Sequence, residues 1–369
     1  MRSMLAVRLH AFGEPMVLER IPKPAPRHTD VLVKVAACGV VPNLRNVLSR
    51  WRDWFPELPL PELPAIFGLD VAGVIVEAGA GVQNFKVGSR VYVSPGLSCG
   101  SCPSCRRDDS INCPNFTFRG YFGFGPEAQR QFDDYPFGGM CEFITAPQRN
   151  LVELPDAVSF EQAARFGYLG TAYAALRKAD AGPHSTILIN GLTGTLGLGA
   201  ALIALGRGVG RILGTGRDRD RLNRVKSLAP SRIEILAADG GRSVAEWARS
   251  ITNGQGVDSV IDCLGPGSSG SLLMNAIYAL RRGGRAINVG GVGEKTSMDV
   301  HWMMDQQIEF IGSNWFPVSD ALALAEMAQA GTLDLSVFNH VRFPLSDVNR
   351  ALDGSHFRDG GFTNLVIMP

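Results

Sequence analysis

The 369-residue sequence has no apolar run long enough to span a bilayer. Its first residues lack the hydrophobic segment that directs secretion. Charge of one sign is missing too: 36 Lys and Arg stand against 35 Asp and Glu, a net of +1, and no basic block occurs. Nucleic acid and membrane are therefore not the expected partners, and a small molecule is. There is no internal repeat and no low-complexity linker. Cysteine is scarce, seven in all, yet four crowd into one short stretch. That pattern suits a metal in a reducing compartment better than disulfides, so the expected location is cytoplasmic. With 45% hydrophobic side chains, there is material for two domains with substantial cores.

The stretch from Thr186 to Arg217 organises the chain. An apolar strand, Thr186 to Ile189, leads into a glycine turn, a small-residue helix from Leu198 to Leu205, and a second strand, Ile212 to Thr215. Strand, glycine turn, helix and strand in this order form a dinucleotide-binding context. The candidate pyrophosphate cradle is Gly191, Thr193, Gly194, Thr195, Leu196 and Gly197. Gly191 permits the tight turn, Gly194 close backbone approach, and Gly197 packing of the helix, whose first amides then face the phosphates. The strict G-x-G-x-x-G spacing is not kept, because two residues separate Gly191 from Gly194. After the second strand, an NAD site ordinarily places Asp or Glu on the ribose diol. Here Gly216 leaves that position without a carboxylate and Arg217 offers a fork for a 2′-phosphate, so NADP(H) is expected over NAD(H). Asp218 comes one residue late and is expected to face solvent or start a helix.

Further strands alternate with helices. Leu222 to Leu228 reads as a helix and Ile233 to Leu236 as a strand. Asp258 to Gly265, which includes Cys263 and Leu264, is a buried strand ending at a glycine turn, and Arg285 to Gly291 is another. This alternation specifies α/β structure with a doubly wound parallel sheet that binds ligand at its strands' C-terminal ends. Residues 1 to about 98 instead read as β-rich: Met4 to Arg8, Val31 to Ala36, Ala72 to Glu77 and Arg90 to Val93 are short β-branched runs. Asn43 to Trp54 has helical spacing, and Pro56, Pro59, Pro61 and Pro64 after it make a stiff loop suited to bordering a cleft.

Cys99, Cys102, Cys105 and Cys113 have the spacing of a closed tetrahedral zinc site. All four ligands are sulfur, which leaves no open position and makes the expected ion structural: one Zn²⁺ per chain. The aromatic stretch Phe116, Phe118, Tyr121, Phe122, Phe124, Phe132 and Tyr135, with Trp51, Trp54 and Phe55, reads either as the wall of a roomy apolar pocket or as packing beneath the cysteine lobe or a subunit contact.

Ala37-Cys38-Gly39-Val40, Gly68-Leu69-Asp70-Val71-Ala72-Gly73, Val87-Gly88-Ser89-Arg90-Val91, the cysteine lobe, Gly138-Gly139-Met140-Cys141-Glu142-Phe143, Thr171-Ala172-Tyr173 and the glycine turn form a set. With these motifs the sequence resembles the medium-chain dehydrogenase/reductase superfamily, the zinc alcohol dehydrogenases and the quinone and enoyl reductases, over nearly its whole length. The resemblance implies a GroES-like catalytic domain at 1–155 and 316–369 with its zinc lobe at 97–115, a Rossmann domain at 156–315, and a homodimer or homotetramer. It also places Thr171, Gly291 and Val292 against the nicotinamide, and makes Phe160 to Lys178 a linker helix.

The departures bear on the chemistry. The family's three catalytic zinc ligands fall on Val41, Leu69 and Gly167, none of which binds zinc. Structural zinc without catalytic zinc is the expectation. An activated C=C is easier to reduce without a Lewis acid than a carbonyl, because charge passes into an enolate. Reduction of a bulky apolar enone, enal or quinone is therefore favoured; the alternatives are a metal-free alcohol dehydrogenase or carbonyl reductase, and a non-catalytic NADPH-binding sensor. The candidate catalytic residues are Asn43, at the family's proton-relay position, then Tyr168, Asn46, Arg50 and Asp70.

Overall fold

A computed structural model describes residues 3–238 and 242–369. Two large sheets divide the chain between them. The hub of the first is the strand Asp30–Gly39, buried at most positions because both of its edges are paired. One edge runs antiparallel to Asp70–Ala78. The other is shared end to end, Asp30 to Lys34 pairing with Phe143–Pro147 and Cys38 to Gly39 with Thr363–Met368. The sheet continues through Arg90–Val93 and Leu151–Glu153 on one side and Asn339–Pro344 on the other. The last strand of the chain thus lies beside one of its first.

The second sheet has six parallel strands in the order Ile233–Ala237, Arg211–Gly216, Thr186–Asn190, Val257–Asp262, Leu280–Asn288, Glu309–Gly312. Its central strand carries Ile187, Leu188 and Ile189, all fully buried, since helices cover both faces of a parallel sheet. Strand order reverses between Thr186–Asn190 and Val257–Asp262, and such a switch point opens a ligand crevice at the strands' C-terminal ends. The small residues of the helix Thr195–Gly206 let it be buried from Gly197 to Ala204. It packs on a second small-residue helix, Phe166–Lys178, in which a Cβ at Gly170 would meet the Phe316 ring at 2.5 Å. That helix therefore touches both halves of the molecule.

The expected linker helix from Phe160 to Lys178 is broken. Ser159 and Gln162 form a capping box that starts the short helix Phe160–Ala163, and Phe166–Lys178 follows after a turn. The break lets Arg165 fold inward. Its Nη2 donates to Gly361 O at 2.7 Å, where a straight helix would have carried it past the segment. The strand Val17–Pro22, paired with Ser3–Arg8, was not expected from its sequence, because it is largely exposed and its polar residues mask the alternation.

Candidate functional site

The cysteine lobe assembles by local turns. Gly100 takes φ +73°, and one 3₁₀ turn, Cys105–Arg107, is followed by another, Ser110–Asn112. These bring the sulfurs of Cys99, Cys102, Cys105 and Cys113 within 4.8 Å of one another. The Cys102 amide donates to Cys99 Sγ at 3.4 Å and the Cys105 amide to Cys102 Sγ at 3.5 Å. Amide donors of this kind favour thiolate, and they draw Cys99 down to about 6. Four thiolates so close repel one another unless a divalent cation lies among them, and the donor set and size fit zinc.

At the switch point the turn is held from below by polar side chains. Thr215 Oγ1 donates to Asn190 Oδ1 at 2.7 Å, and Asn190 Nδ2 donates to Asp262 Oδ1 at 2.8 Å. This buried chain of three links three adjacent strand ends, and burial raises Asp262 to about 6. None of the three was picked out in the sequence; the available signal was a polar residue ending each apolar strand. Gly191 has φ +86°, and a Cβ on Gly197 would sit 2.1 Å from Gly191 O, so turn and helix meet backbone to backbone. Gly194 caps the helix without a side chain, which leaves the first amides, from Thr195 and Leu196 onward, free for an anion. Cys263 N–H bonds Asn190 O, and Gly291 N–H bonds Leu264 O, which sets the segments before Val292 beside the turn. These residues fit a dinucleotide.

Gly216 differs from the expected open position. A Cβ there would meet Leu222 Cδ2 at 3.1 Å and Thr193 Oγ1 at 3.3 Å, so a side chain would fit only if these two shifted by a few tenths of an ångström. Arg217 is exposed and makes no ion pair among the described residues, while Asp218 caps the helix Arg219–Ser227 through the Arg221 amide.

The third cluster lies where the family's catalytic metal would be. Gly39 to Pro42, Asp70, Ala164, Arg165, Tyr168 and Asn364 line one small recess. Asp70 is buried, and its Oδ1 accepts from Tyr92 Oη at 2.8 Å. A Cβ on Gly167 would lie 2.3 Å from that same oxygen, so the carboxylate fills the space a side chain at 167 would need. Burial raises Asp70 to about 7, against the opposing pull of Tyr92, the Gly167 amide and Arg165. Val41 and Leu69 are buried apolar side chains, 5% and 6% exposed.

Asn43 stands at the start of the helix Leu44–Trp54, and its side chain does not cap that helix. The Tyr168 and Tyr121 hydroxyls lie close to it. Asn46 Nδ2 donates to Asn43 Oδ1 at 3.0 Å. Asn43 thus gives its side-chain oxygen to Asn46 and lies beside two phenols. Each phenol keeps its own proton to give. Burial lifts Tyr168 to about 12 and Tyr121 well above its ordinary value, so both stay protonated. Arg50 does not join them: it is exposed and lies 4.9 Å over the Trp54 ring, because its helix turns that face to solvent. Thr171 is buried and donates to Gly167 O at 2.8 Å. The aromatic stretch is packing more than wall: Phe116, Phe118, Phe122 and Phe124 stack edge-on among themselves, with Trp51 against Phe122 and Trp315 against Phe118.

A dinucleotide cradle at a switch point, facing a buried recess across one shared helix, defines a two-domain NAD(P)-dependent oxidoreductase. Comparison with known proteins places it more narrowly. Residues 27–156 match the alcohol dehydrogenase GroES-like domain and 195–330 the zinc-binding dehydrogenase family. The chain is 31% identical to the uncharacterized zinc-type alcohol dehydrogenase-like protein YphC of Escherichia coli K12, over 85% of this chain and 84% of that one. It is 29% identical to the sorbitol dehydrogenase of Bacillus subtilis 168, over 84% and 82%. In fold it matches a putative zinc-binding dehydrogenase from Sinorhizobium meliloti 1021 bound to NADP, with TM-score 0.83, 22% identity and 100% of each chain covered. The chain belongs to the medium-chain dehydrogenase/reductase superfamily.

Two outcomes follow. Elemental analysis of purified protein is expected to give one zinc per chain, and stripping it should destabilise the fold by several kcal/mol, about what closed cysteine sites contribute. A second tightly held zinc would contradict the reading of Val41, Leu69 and Gly167. For Asp70, the folded carboxyl is raised to about 7, so the folded state holds a proton that the unfolded state has lost. Stability should therefore fall as pH rises from about 4 to about 7, approaching 1.4 kcal/mol per pH unit for this group, and level off above that. Urea unfolding from pH 5 to 8 should show this slope flattened in Asp70→Asn, and an unchanged slope would place the ionisation elsewhere.

Proposed function

We propose that this protein is an NADP(H)-dependent reductase that transfers hydride without a catalytic metal to the activated C=C of a bulky apolar enone, enal or quinone. The observation that carries the reading is the contact of Asp70 with Gly167. The three positions that would hold a catalytic ion are two buried aliphatic side chains and a glycine whose side-chain space a carboxylate already fills. Rebuilding a metal site there would require displacing Asp70, not merely adding a ligand.

The cradle residues Gly191, Thr193, Gly194, Thr195, Leu196 and Gly197 would hold the pyrophosphate, Arg217 the 2′-phosphate, and Thr171, Cys263, Leu264, Gly291 and Val292 the nicotinamide half. When bound, the dinucleotide supplies the hydride. As charge gathers on the substrate's carbonyl oxygen, the Tyr168 hydroxyl, which lines the recess, would donate a hydrogen bond to it. Tyr168 also holds the proton needed at the α-carbon, and its high pKa keeps that proton available at neutral pH. Asn43 lies beside both phenols, and Asp70 with Tyr92 fixes the floor of the recess. The same donor favours a second reading, reduction of C=O, because a phenol on the oxygen replaces part of what a Lewis acid does. The alcohol dehydrogenase names among the relatives support that reading as well.

Cinnamaldehyde with NADPH separates the two by product. A saturated aldehyde is expected; an allylic alcohol would exclude the C=C preference. In either case Tyr168→Phe should lower kcat by about 10²-fold with KM little changed, the usual range for a positioned general acid.

Assembly as a homodimer is part of the proposal. Among the described residues the edge strand Glu309–Gly312 has one paired side; its Phe310 is 39% exposed, and Val300 and Met304 of the preceding helix Val300–Asp305 are 75% and 61% exposed. An apolar open edge of this kind is ordinarily covered. Sedimentation should return a mass near twice the 39.7 kDa chain, and a stable monomer at micromolar concentration would refute it.

A further inference from the structure

The segment from Arg358 to Thr363 does more than return the chain to its first sheet. It lies directly on the phosphate turn. Gly361 N–H donates to Thr193 O at 2.8 Å. A Cβ on Gly360 would come within 2.5 Å of that oxygen, and one on Gly361 within 2.4 Å of Gly194 O, so only glycine allows the approach. Arg165 anchors the segment from beneath through Gly361 O, and Arg358 Nη2 reaches Val40 O at 3.1 Å.

From this position Asp359 extends to the helix Arg219–Ser227. Its Oδ1 accepts from Arg221 Nε at 2.9 Å, and its Oδ2 pairs with Arg224. Its backbone N–H donates to Thr363 Oγ1 at 2.9 Å, which fixes the carboxylate's own backbone. Arg224 also lies 4.0 Å over the Phe362 ring. The helix begins just past Gly216 and Arg217, where the adenosine ribose is read. Arg217, Arg221 and Arg224 are therefore the cationic surface available to a 2′-phosphate, and a carboxylate from the far end of the chain already engages two of the three.

We propose that Asp359 is a specificity-determining residue, whose carboxylate competes with the cofactor's 2′-phosphate for Arg221 and Arg224 and so sets how strongly NADPH is preferred over NADH. The inference rests on the reading of Arg217 as a 2′-phosphate ligand. The competition is balanced in the right range. The paired side chains are 37% to 44% exposed, so each ion pair contributes little in water. A phosphate dianion presents more charge and more acceptor oxygens to the same guanidinium forks than a carboxylate does. Exchange of partners is then easy, yet the carboxylate still lowers the net gain from the phosphate. A purely structural role makes a different prediction. The segment covers the pyrophosphate turn, which NADH and NADPH share, so a strut that failed would weaken both equally.

The test measures Kd for NADPH and NADH, and for the probes 2′-AMP and 5′-AMP, in the full-length wild type, Asp359→Asn, Asp359→Glu and Arg217→Ala. Asp359→Asn is expected to tighten NADPH and 2′-AMP by about three- to tenfold, the range of a weak charged contact. NADH and 5′-AMP should not change, and Asp359→Glu should restore the wild-type ratio. The salt dependence of NADPH binding should steepen in Asp359→Asn. Equal weakening of both cofactors would reduce Asp359 to a strut and overturn the proposal. Weakening of NADH alone would make Asp359 a ribose ligand and overturn it equally. If Arg217→Ala selectively weakens NADPH while Asp359→Asn leaves the ratio unmoved, the inference fails and the Arg217 reading stands. If wild type does not favour NADPH and Arg217→Ala alters neither cofactor, the reading itself fails and the inference with it. Thermal midpoints of all variants guard against misfolding as the cause.

Discussion

The recess depends on one contact, a buried carboxylate against a glycine. Asp70 comes from the sheet of the first half, Gly167 from the helix shared with the second, and the absence of a side chain at 167 lets them meet. Burying a carboxyl costs free energy unless its oxygens find donors or it stays protonated, and here both occur in part. Tyr92 supplies the donor, and the raised pKa keeps the group close to neutral. The result is a rigid floor. Val41 adds hydrocarbon to the lining, and Tyr168 brings a protonated phenol to it.

The cofactor half is built on a different economy, that of backbone meeting backbone. Gly191, Gly194 and Gly197 make the turn, Gly360 and Gly361 bring a distant segment onto it, and the Thr215–Asn190–Asp262 chain holds the strand ends beneath. Cationic side chains enter at the margins, where Arg217, Arg221 and Arg224, two of them paired with Asp359, are at least partly exposed. Charge is thus kept where its energetic effect is modest and adjustable, while the turn itself is fixed by contacts that leave room for no Cβ.

Much of this was legible in the residues. The parallel sheet followed from apolar strands alternating with helices, the cysteine lobe from its spacing, and the lost metal ligands from Val41, Leu69 and Gly167. What was not legible required three dimensions. That Gly167 is occupied from the side by Asp70 cannot be read from either residue, since 97 positions of sequence separate them. Tyr92 and Tyr121 read as ordinary members of a strand and an aromatic run, and only their partners reveal them. Arg50 looked plausible from its helix, but the spacing that buries Leu44, Val47 and Trp51 necessarily turns position 50 outward. The aromatic stretch had the composition of a pocket wall, and its rings instead satisfy one another.

The helix Phe166–Lys178 belongs to both halves, and this shapes how the molecule can move. Gly167 lies against Asp70 of the first sheet, Gly170 lies against Phe316 just past the last parallel strand, and Tyr168 is carried between them. A rotation of one half relative to the other must pivot on this rod, because sliding along it would drive backbone into a ring or a carboxylate. The phenol rides on the pivot. Opening the crevice to exchange cofactor therefore also shifts Tyr168, the residue proposed to give the proton, and shutting it returns both together, so access and readiness would be one mechanical coordinate rather than two.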